Sequence, residues 1–170
     1  MTSDYFGLHV TVMGLGRFGG GVAAARFLAN QGAIVTVTDL RSAEDLADSL
    51  STLSNSGIAH YELNGHPETV LADCQLLVVN PAVRPDHPLV VQARNRNIDV
   101  TTEIALFLRH NPASVIAVTG SNGKSTTSAL IHHLLKHAWP SFEGNVWLGG
   151  NIGISLLDQT ATIQPHDIVV

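Results

Sequence analysis

The stretch Leu8-His9-Val10-Thr11-Val12-Met13-Gly14-Leu15-Gly16-Arg17-Phe18-Gly19 sets an apolar, β-branched run against a turn punctuated by glycine. Residues 22–30 follow as an Ala-rich segment of helical period, and residues 33–38 form a second β-rich run. That run leads into Asp39, twenty residues past Gly19. Strand, GxGxxG turn, helix, strand and acid match the dinucleotide fingerprint. The glycines allow a tight turn and a close backbone approach, the helix N-terminus favours a pyrophosphate, and the acid accepts from a ribose hydroxyl. From these residues alone three readings stay open: a nicotinamide dinucleotide, another nucleotide, or a purely structural turn.

The alternation continues outward from this unit. A polar helical stretch is expected over residues 43–53 with Ser42 as its N-cap, then a short strand around Tyr61 and a small helix at residues 68–72. Leu76-Leu77-Val78-Val79 reads as a buried strand, residues 89–96 as a helix, 98–100 as a strand and 103–109 as a helix. Repeated strand–helix units predict an α/β fold: a parallel sheet, Rossmann-like, with helices on both faces. Asn111-Pro112 interrupts the helical pattern, because the residue before proline is pushed out of the α region. The expected domains are therefore residues 1–111 and 112–170.

The second domain begins on another phosphate-type signal. The apolar run Val115-Ile116-Ala117-Val118 precedes Thr119-Gly120-Ser121-Asn122-Gly123-Lys124-Ser125-Thr126, and a helix is expected from near Thr126 to about His137. Strand, glycine turn, Lys-Ser pair and helix suit a nucleoside triphosphate. Backbone N–H groups cradle its oxygens, the lysine neutralises charge and the hydroxyl reaches a magnesium ion. The general consensus places a glycine where Val118 stands, and here the early glycine is Gly120. The blander reading is a glycine turn with an exposed lysine. Residues 145–148 are expected to be a strand, residues 149–153 a second glycine-rich turn, and Asp167-Ile168-Val169-Val170 the first half of a buried strand. An ending inside such a strand suggests a piece of something longer.

Bulk composition bounds the partners. Apolar residues make up 45% and charged residues 14%, enough for a core, and the net charge of −5 argues against a nucleic-acid or membrane-surface binder. Recognition of phosphate must then be local. Cys74 is the single cysteine, which suits a reducing, cytoplasmic compartment. The nine histidines are scattered, and the spacing of His133 and His137 is better read as a solvated helix face than as a metal site.

Four segments, in order, resemble the Mur ligase family of ATP-dependent peptidoglycan enzymes, and within it the branch that adds D-glutamate. They are Gly14-Leu15-Gly16-Arg17-Phe18-Gly19 with Asp39-Leu40-Arg41, Asn80-Pro81-Ala82-Val83 with His87-Pro88, the run from Val118 to Thr126, and Gly149-Gly150-Asn151-Ile152-Gly153. The resemblance implies that the first domain binds the UDP end of UDP-N-acetylmuramoyl-L-alanine and not NAD. By position, Gly14, Leu15, Gly16, Arg17 and Phe18 would lie by the UDP moiety, and Asp39 and Arg41 would contact the uracil. Asn80, Pro81, Ala82 and Asn151 would approach the pyrophosphate and sugar. The family usually has Ser-Pro-Gly at the second segment, so Ala82 is expected to set the backbone slightly back.

The same resemblance assigns ATP to Gly120, Ser121, Asn122, Gly123, Lys124, Ser125, Thr126 and Thr127. Lys124 is then the catalytic cation on the β and γ phosphates, and Ser125 a ligand of Mg2+. The implied reaction passes through an acyl phosphate to an amide with D-glutamate, by a cytoplasmic, monomeric enzyme. Family elements expected after Val170 include a magnesium-binding glutamate and the domain for the incoming amino acid. A chain of this extent is thus expected to be the N-terminal portion, inactive alone. The alternatives are an L-alanine-adding Mur ligase and a non-catalytic NAD-binding module.

Overall fold

A computed structural model describes residues 4–16, 19–138, 142–150 and 155–170, and divides the chain into two compact units, Met1–Leu106 and Phe107–Val170. The first unit carries β1 (His9–Met13), α1 (Gly20–Asn30), β2 (Ile34–Asp39), α2 (Ala47–Leu53), β3 (His60–Leu63), β4 (Leu76–Val79), α3 (Pro88–Asn95) and β5 (Asp99–Thr101). A single 3-10 turn at Glu68–Leu71 precedes β4, and α4 (Glu103–His110) runs across the division.

The five strands form one parallel sheet in the order β3-β2-β1-β4-β5, the α/β fold that the alternation predicts. β1 lies at the point where the order reverses, so chain leaves the carboxyl ends of β1 and β4 in opposite directions. That crevice is where open α/β sheets take ligands. β4 is buried at all four positions, as a parallel strand covered on both faces should be. On one face Met13, Leu77 and Val79 pack with Val70, Leu71, Leu89, Val90 and Ala93. Val10, Val12 and Val78 alternate to the other face, and α1 packs against β1 and β2. Thr11 is a buried polar residue of β1, 2% exposed, and its hydroxyl donates to the Val70 carbonyl at 2.7 Å.

Helical lengths differ from the sequence expectation where local bonds compete. Residues 43–46 are turn and α2 begins at Ala47. Ser42 caps that turn: its Oγ accepts the Asp45 N–H at 3.2 Å and donates to the Asp45 carboxylate at 2.9 Å.

The second unit holds β6 (Ser114–Val115), α5 (Lys124–Ala138), β7 (Val146–Trp147), a 3-10 turn at Leu156–Gln159 and β8 (Ile168–Val169). Its parallel sheet has the order β6-β8-β7. Leu156, Leu157, Ile163, Val169 and Val170 are buried, whereas Val115, Ile116, Leu130 and Leu134 are exposed. Asp167 is fully buried, and its carboxylate accepts from the Asn145 N–H at 2.7 Å, the Trp147 indole at 2.9 Å and the Gln164 N–H at 2.9 Å. Burial pushes this carboxyl up; the hydrogen bonds outweigh burial and hold it below its ordinary value.

Of the glycines at the start of α1, Gly21, the second helical residue, is the one seated against the backbone of the turn after β1. A Cβ on Gly21 would lie 2.2 Å from the Gly14 carbonyl oxygen and 2.6 Å from Leu15 Cα, both backbone atoms, whereas one on Gly19 meets nothing within 4 Å. In an unhindered helix Gly→Ala stabilises by up to about 1 kcal/mol. Here the sign reverses: Gly21→Ala is expected to destabilise the first unit by about 1–3 kcal/mol, read from the urea midpoint. A raised midpoint would overturn the close-packing account.

Candidate functional site

At the carboxyl end of β1 the chain turns through Gly14 at φ 85° and Gly16 at φ 74°, and Gly19 caps α1 at φ 78°. The first two have a second reason to be glycine. A Cβ on Gly16 would stand 2.5 Å from Asn80 Nδ2, and one on Gly14 3.2 Å from Asn80 Cβ. Gly14 donates its N–H to the Thr38 carbonyl at 2.7 Å, and Gly21 donates back to the Leu15 carbonyl at 3.1 Å. The Leu15 side chain is buried, so Leu15 meets the turn through its backbone. Arg17, Phe18 and Asn151 lie outside the described residues.

Asp39 closes this turn from the neighbouring strand. It is 5% exposed, and its Oδ2 accepts the Leu15 N–H at 2.9 Å and Arg41 Nη2 at 3.2 Å. Its Oδ1 accepts the Arg41 N–H at 3.0 Å and Arg41 Nε at 3.2 Å. Burial alone would raise this carboxyl; the hydrogen bonds from Arg41 and Leu15, with the Arg41 charge, bring it below its ordinary value. A carboxylate has about four acceptor positions, and here all four are engaged. Any ligand N–H or hydroxyl that bonds Asp39 must displace a donor of Arg41, whose side chain is 37% exposed.

The third element is the turn after β4. Asn80 donates its N–H to the Met13 carbonyl at 3.0 Å, and its Oδ1 accepts the Ala82 N–H at 3.0 Å. Among the described residues the non-glycine positions with positive φ are Asn64 and Asn97, so Ala82 uses no conformation that glycine alone supplies. Pro81 and Ala82 are exposed beside the glycine turn.

Three features at this edge have no local sequence signal. The Thr38 hydroxyl donates to the Gly65 carbonyl at 2.9 Å and lies 3.0 Å from His66 Nδ1. The His66 and His87 rings meet edge to face, 5.8 Å between centroids at 84°. The Glu103 carboxylate stands by the first turn of α1, where a Cβ on Gly20 would be 3.7 Å from its Oε2. These pairs are distant in sequence, and only the sheet order brings them together.

In the second unit the apolar run before the phosphate loop is strand only at Ser114–Val115, with Ile116 still donating its N–H to the Val169 carbonyl at 2.8 Å. Helix α5 begins at Lys124, a little earlier than expected, and Thr127 donates its N–H to the Gly123 carbonyl at 2.9 Å. Gly123 has φ 78° with nothing within 4 Å of a Cβ, and Gly120 has φ 148°. Lys124 folds back over the loop, its ammonium donating to the Gly120 carbonyl at 2.7 Å and the Ser121 carbonyl at 3.4 Å. Residues 119–127 are exposed, and the first turn of α5 carries no acidic side chain.

These features fit a polyphosphate. The loop is open, a cation is held at its mouth by backbone carbonyls, and a helix start without carboxylates faces it. For magnesium the chain offers the Ser125 hydroxyl. Among the described residues no group of three or more His, Cys, Asp or Glu side chains is placed to hold a metal ion, so a bound Mg2+ would draw its other ligands from phosphate and water. His133 and His137 stack at 4.5 Å on an exposed face of α5. Among the described residues no helix is long and apolar enough to cross a membrane.

Comparison with known proteins gives the family. A model of the Mur ligase MurD-like N-terminal domain matches residues 8–102. The UDP-N-acetylmuramoylalanine–D-glutamate ligase of Roseiflexus sp. is 40% identical over 164 residues, 96% of this chain and 34% of that protein. That of Halalkalibacterium halodurans is 37% identical over 169 residues, 99% of this chain and 36% of that protein. The chain spans about a third of the length of these curated relatives. Among solved structures, the UDP-N-acetylmuramate:L-alanyl-gamma-D-glutamyl-meso-diaminopimelate ligase of Neisseria meningitides matches with a TM-score of 0.54 at 22% identity, over 96% of this chain and 52% of that one. A murein peptide ligase of Psychrobacter arcticus matches at 0.54 and 18% identity, over 96% of this chain and 37% of that one. At such identities the structural likeness concerns the fold.

The Asp39 geometry sets a pH dependence. With the folded value held below the ordinary 3.8, its contribution to stability is complete above 3.8 and is lost as pH falls through the folded value. Asp39→Asn is expected to flatten the acid limb of the first unit's stability curve, measured by urea denaturation between about pH 2 and pH 6. An unchanged acid limb would overturn the coupling.

Proposed function

The chain belongs to the Mur ligase family through an N-terminal domain of the MurD-like type, and on that premise we propose that it carries two nucleotide sites of a D-glutamate-adding ligase. Residues 1–111 form a UDP-binding domain for UDP-N-acetylmuramoyl-L-alanine, and residues 112–170 belong to the ATP-binding domain. The reaction joins the alanyl carboxylate to the amine of D-glutamate in peptidoglycan precursor synthesis. The observation that carries the reading is the pairing of a MurD-like first unit with a lysine-bearing phosphate loop in the second.

In the first unit, the turn at Gly14, Leu15 and Gly16 with Asn80, Pro81 and Ala82 receives the diphosphate, and Asp39 with Arg41 reads the uracil. The Arg41–Asp39 pair supports uridine over NAD: a ligand donor that reaches Asp39 displaces a donor of Arg41, and the carbonyl next to a uracil N–H can take up the guanidinium so released. Uracil, with an N–H donor and carbonyl acceptors, can be met by a carboxylate and a guanidinium together. Arg17, Phe18 and Asn151 are assigned to the same substrate by sequence position.

In the second unit, residues 120–127 hold the triphosphate. Lys124 moves its ammonium from the loop carbonyls to phosphate oxygens, and Ser125 offers its hydroxyl to Mg2+. ATP, when bound, supplies the phosphoryl group that activates the carboxylate. Lys124 neutralises charge that grows on the phosphate oxygens, a term that preorganised cations supply efficiently. A cytoplasmic, monomeric enzyme belongs to the same proposal; the single cysteine, Cys74, whose thiol donates to the Leu76 carbonyl, supports the reducing compartment.

Titration calorimetry on the 170-residue chain separates the readings. Heat from UDP-N-acetylmuramoyl-L-alanine and none from NAD is expected; binding of NAD alone would sink the proposal. Lys124→Ala is expected to weaken MgATP binding by at least about tenfold while leaving UDP-substrate affinity intact. Undiminished MgATP affinity would remove Lys124 from the role.

A further inference from the structure

Residues 64–66 are fastened to the end of β2 by three bonds. Asn64 donates its N–H to the Arg41 carbonyl at 3.1 Å, Gly65 donates its N–H to the Asp39 carbonyl at 3.0 Å, and the Thr38 hydroxyl donates to the Gly65 carbonyl. Asn64 takes φ 64°, a left-handed conformation that asparagine tolerates. The segment thus presents His66 toward the next loop. There His87 is the N-cap of α3, its Nδ1 accepting the Leu89 N–H at 3.2 Å.

Hydrogen-bond accounting fixes the protons. Thr38 Oγ1 has one hydrogen, which goes to the Gly65 carbonyl, so toward His66 it is an acceptor and His66 Nδ1 carries a proton. His87 Nδ1 accepts a backbone N–H and is therefore bare, leaving its proton on Nε2. Two neutral imidazoles in edge-to-face contact satisfy every constraint. A second proton on His66 enters at Nε2, leaves the Nδ1–H bond to Thr38 in place and puts a cation against the ring of His87, so the ring contact is the part of the lock that protonation weakens.

The contacts form a continuous path around the crevice: Asp39 and Arg41, Thr38, His66, His87, the segment leading back to Asn80, and from Asn80 to Gly14 and Gly16. We propose that His66 is a positioning residue for the nucleotide end of the substrate, which in its neutral form locks the loop after β4 to the Asp39–Arg41 end of β2 and on protonation releases it. The proposal rests on the uridine diphosphate reading of the first unit.

The groups facing His66 give the sign of the pH response. Burial lowers its pKa from the ordinary 6.5, His87 lowers it further, and Asp39, already engaged by Arg41, opposes them in part. Among the described residues, Glu68 keeps its charge and accepts from the neutral Gln92 amide at 2.8 Å, and Arg84 pairs with Asp86 at 2.8 Å. The neutral lock is complete above the ordinary histidine value and is lost as pH falls through the lowered one.

The test is calorimetric titration of UDP-N-acetylmuramoyl-L-alanine into the 170-residue chain between about pH 8 and pH 5, a range in which its diphosphate diester does not titrate. Wild-type affinity is expected to fall at least about threefold across this range. His66→Asn keeps a non-titrating donor to Thr38 but loses the ring contact to His87, so its affinity at the upper pH should lie about threefold below wild type, near the level wild type reaches at the lower pH, with a shallower decline below. His66→Ala should bind more weakly at every pH. A His66→Asn profile parallel to wild type, or a His66→Ala affinity equal to wild type, overturns the positioning role while leaving the uridine diphosphate reading standing. Wild-type chain that binds at no pH overturns that reading and the positioning role with it.

Discussion

The bond from the Leu15 N–H to the Asp39 carboxylate joins the turn after β1 to the end of β2, and the first unit's carboxyl edge is arranged around it. Adjacent backbone bonds run the same way: Gly14 donates to the Thr38 carbonyl, and Gly65 donates to the Asp39 carbonyl. Three loops therefore meet at one strand end. The cost of burying a carboxylate is offset by four donors, one of them supplied by the turn that the carboxylate positions. Glycine follows from this geometry. With Leu15 pinned to Asp39 and Asn80 pinned to Met13, Asn80 lies against Gly14 and Gly16, and no side chain fits between.

Asp167 solves the same problem in the second unit with different partners. Among the described residues no guanidinium pairs with it, and His166 Nε2 stands 4.0 Å from its Oδ1. Two backbone N–H groups and the Trp147 indole hold it, and these come from β7 and from the turn before β8, so the carboxylate ties the ends of adjacent parallel strands. The comparison separates structure from chemistry. Asp167 is sealed, whereas the partner of Asp39, Arg41, keeps part of its side chain in solvent, where a ligand can compete for it.

Much of this fold was legible because period and punctuation agree. β1, β2 and β4 are apolar and β-branched, each stops at a turn signal, and the alternation implies a parallel sheet. The failures have physical causes. In Gly19-Gly20-Gly21 all three residues look equivalent, and only the seating of α1 on the Gly14–Leu15 backbone selects Gly21 for close approach. His66 and His87 belong to different loops, so no window of sequence contains both; the parallel placement of β2 beside β1 and β1 beside β4 creates the contact.

The two glycine turns use one device with opposite closures. Each follows a parallel strand and opens a helix whose first turn lacks an acidic residue. The first is closed by a carboxylate from the next strand that already pairs with an arginine. The second is closed by its own lysine, held on carbonyls that carry only partial charge. A phosphate oxygen with full charge competes for that ammonium far better than a carbonyl does. For a chain of net charge −5, the positive potential a polyphosphate requires has to be local, and Lys124 at the start of α5 puts it where the helix dipole adds to it.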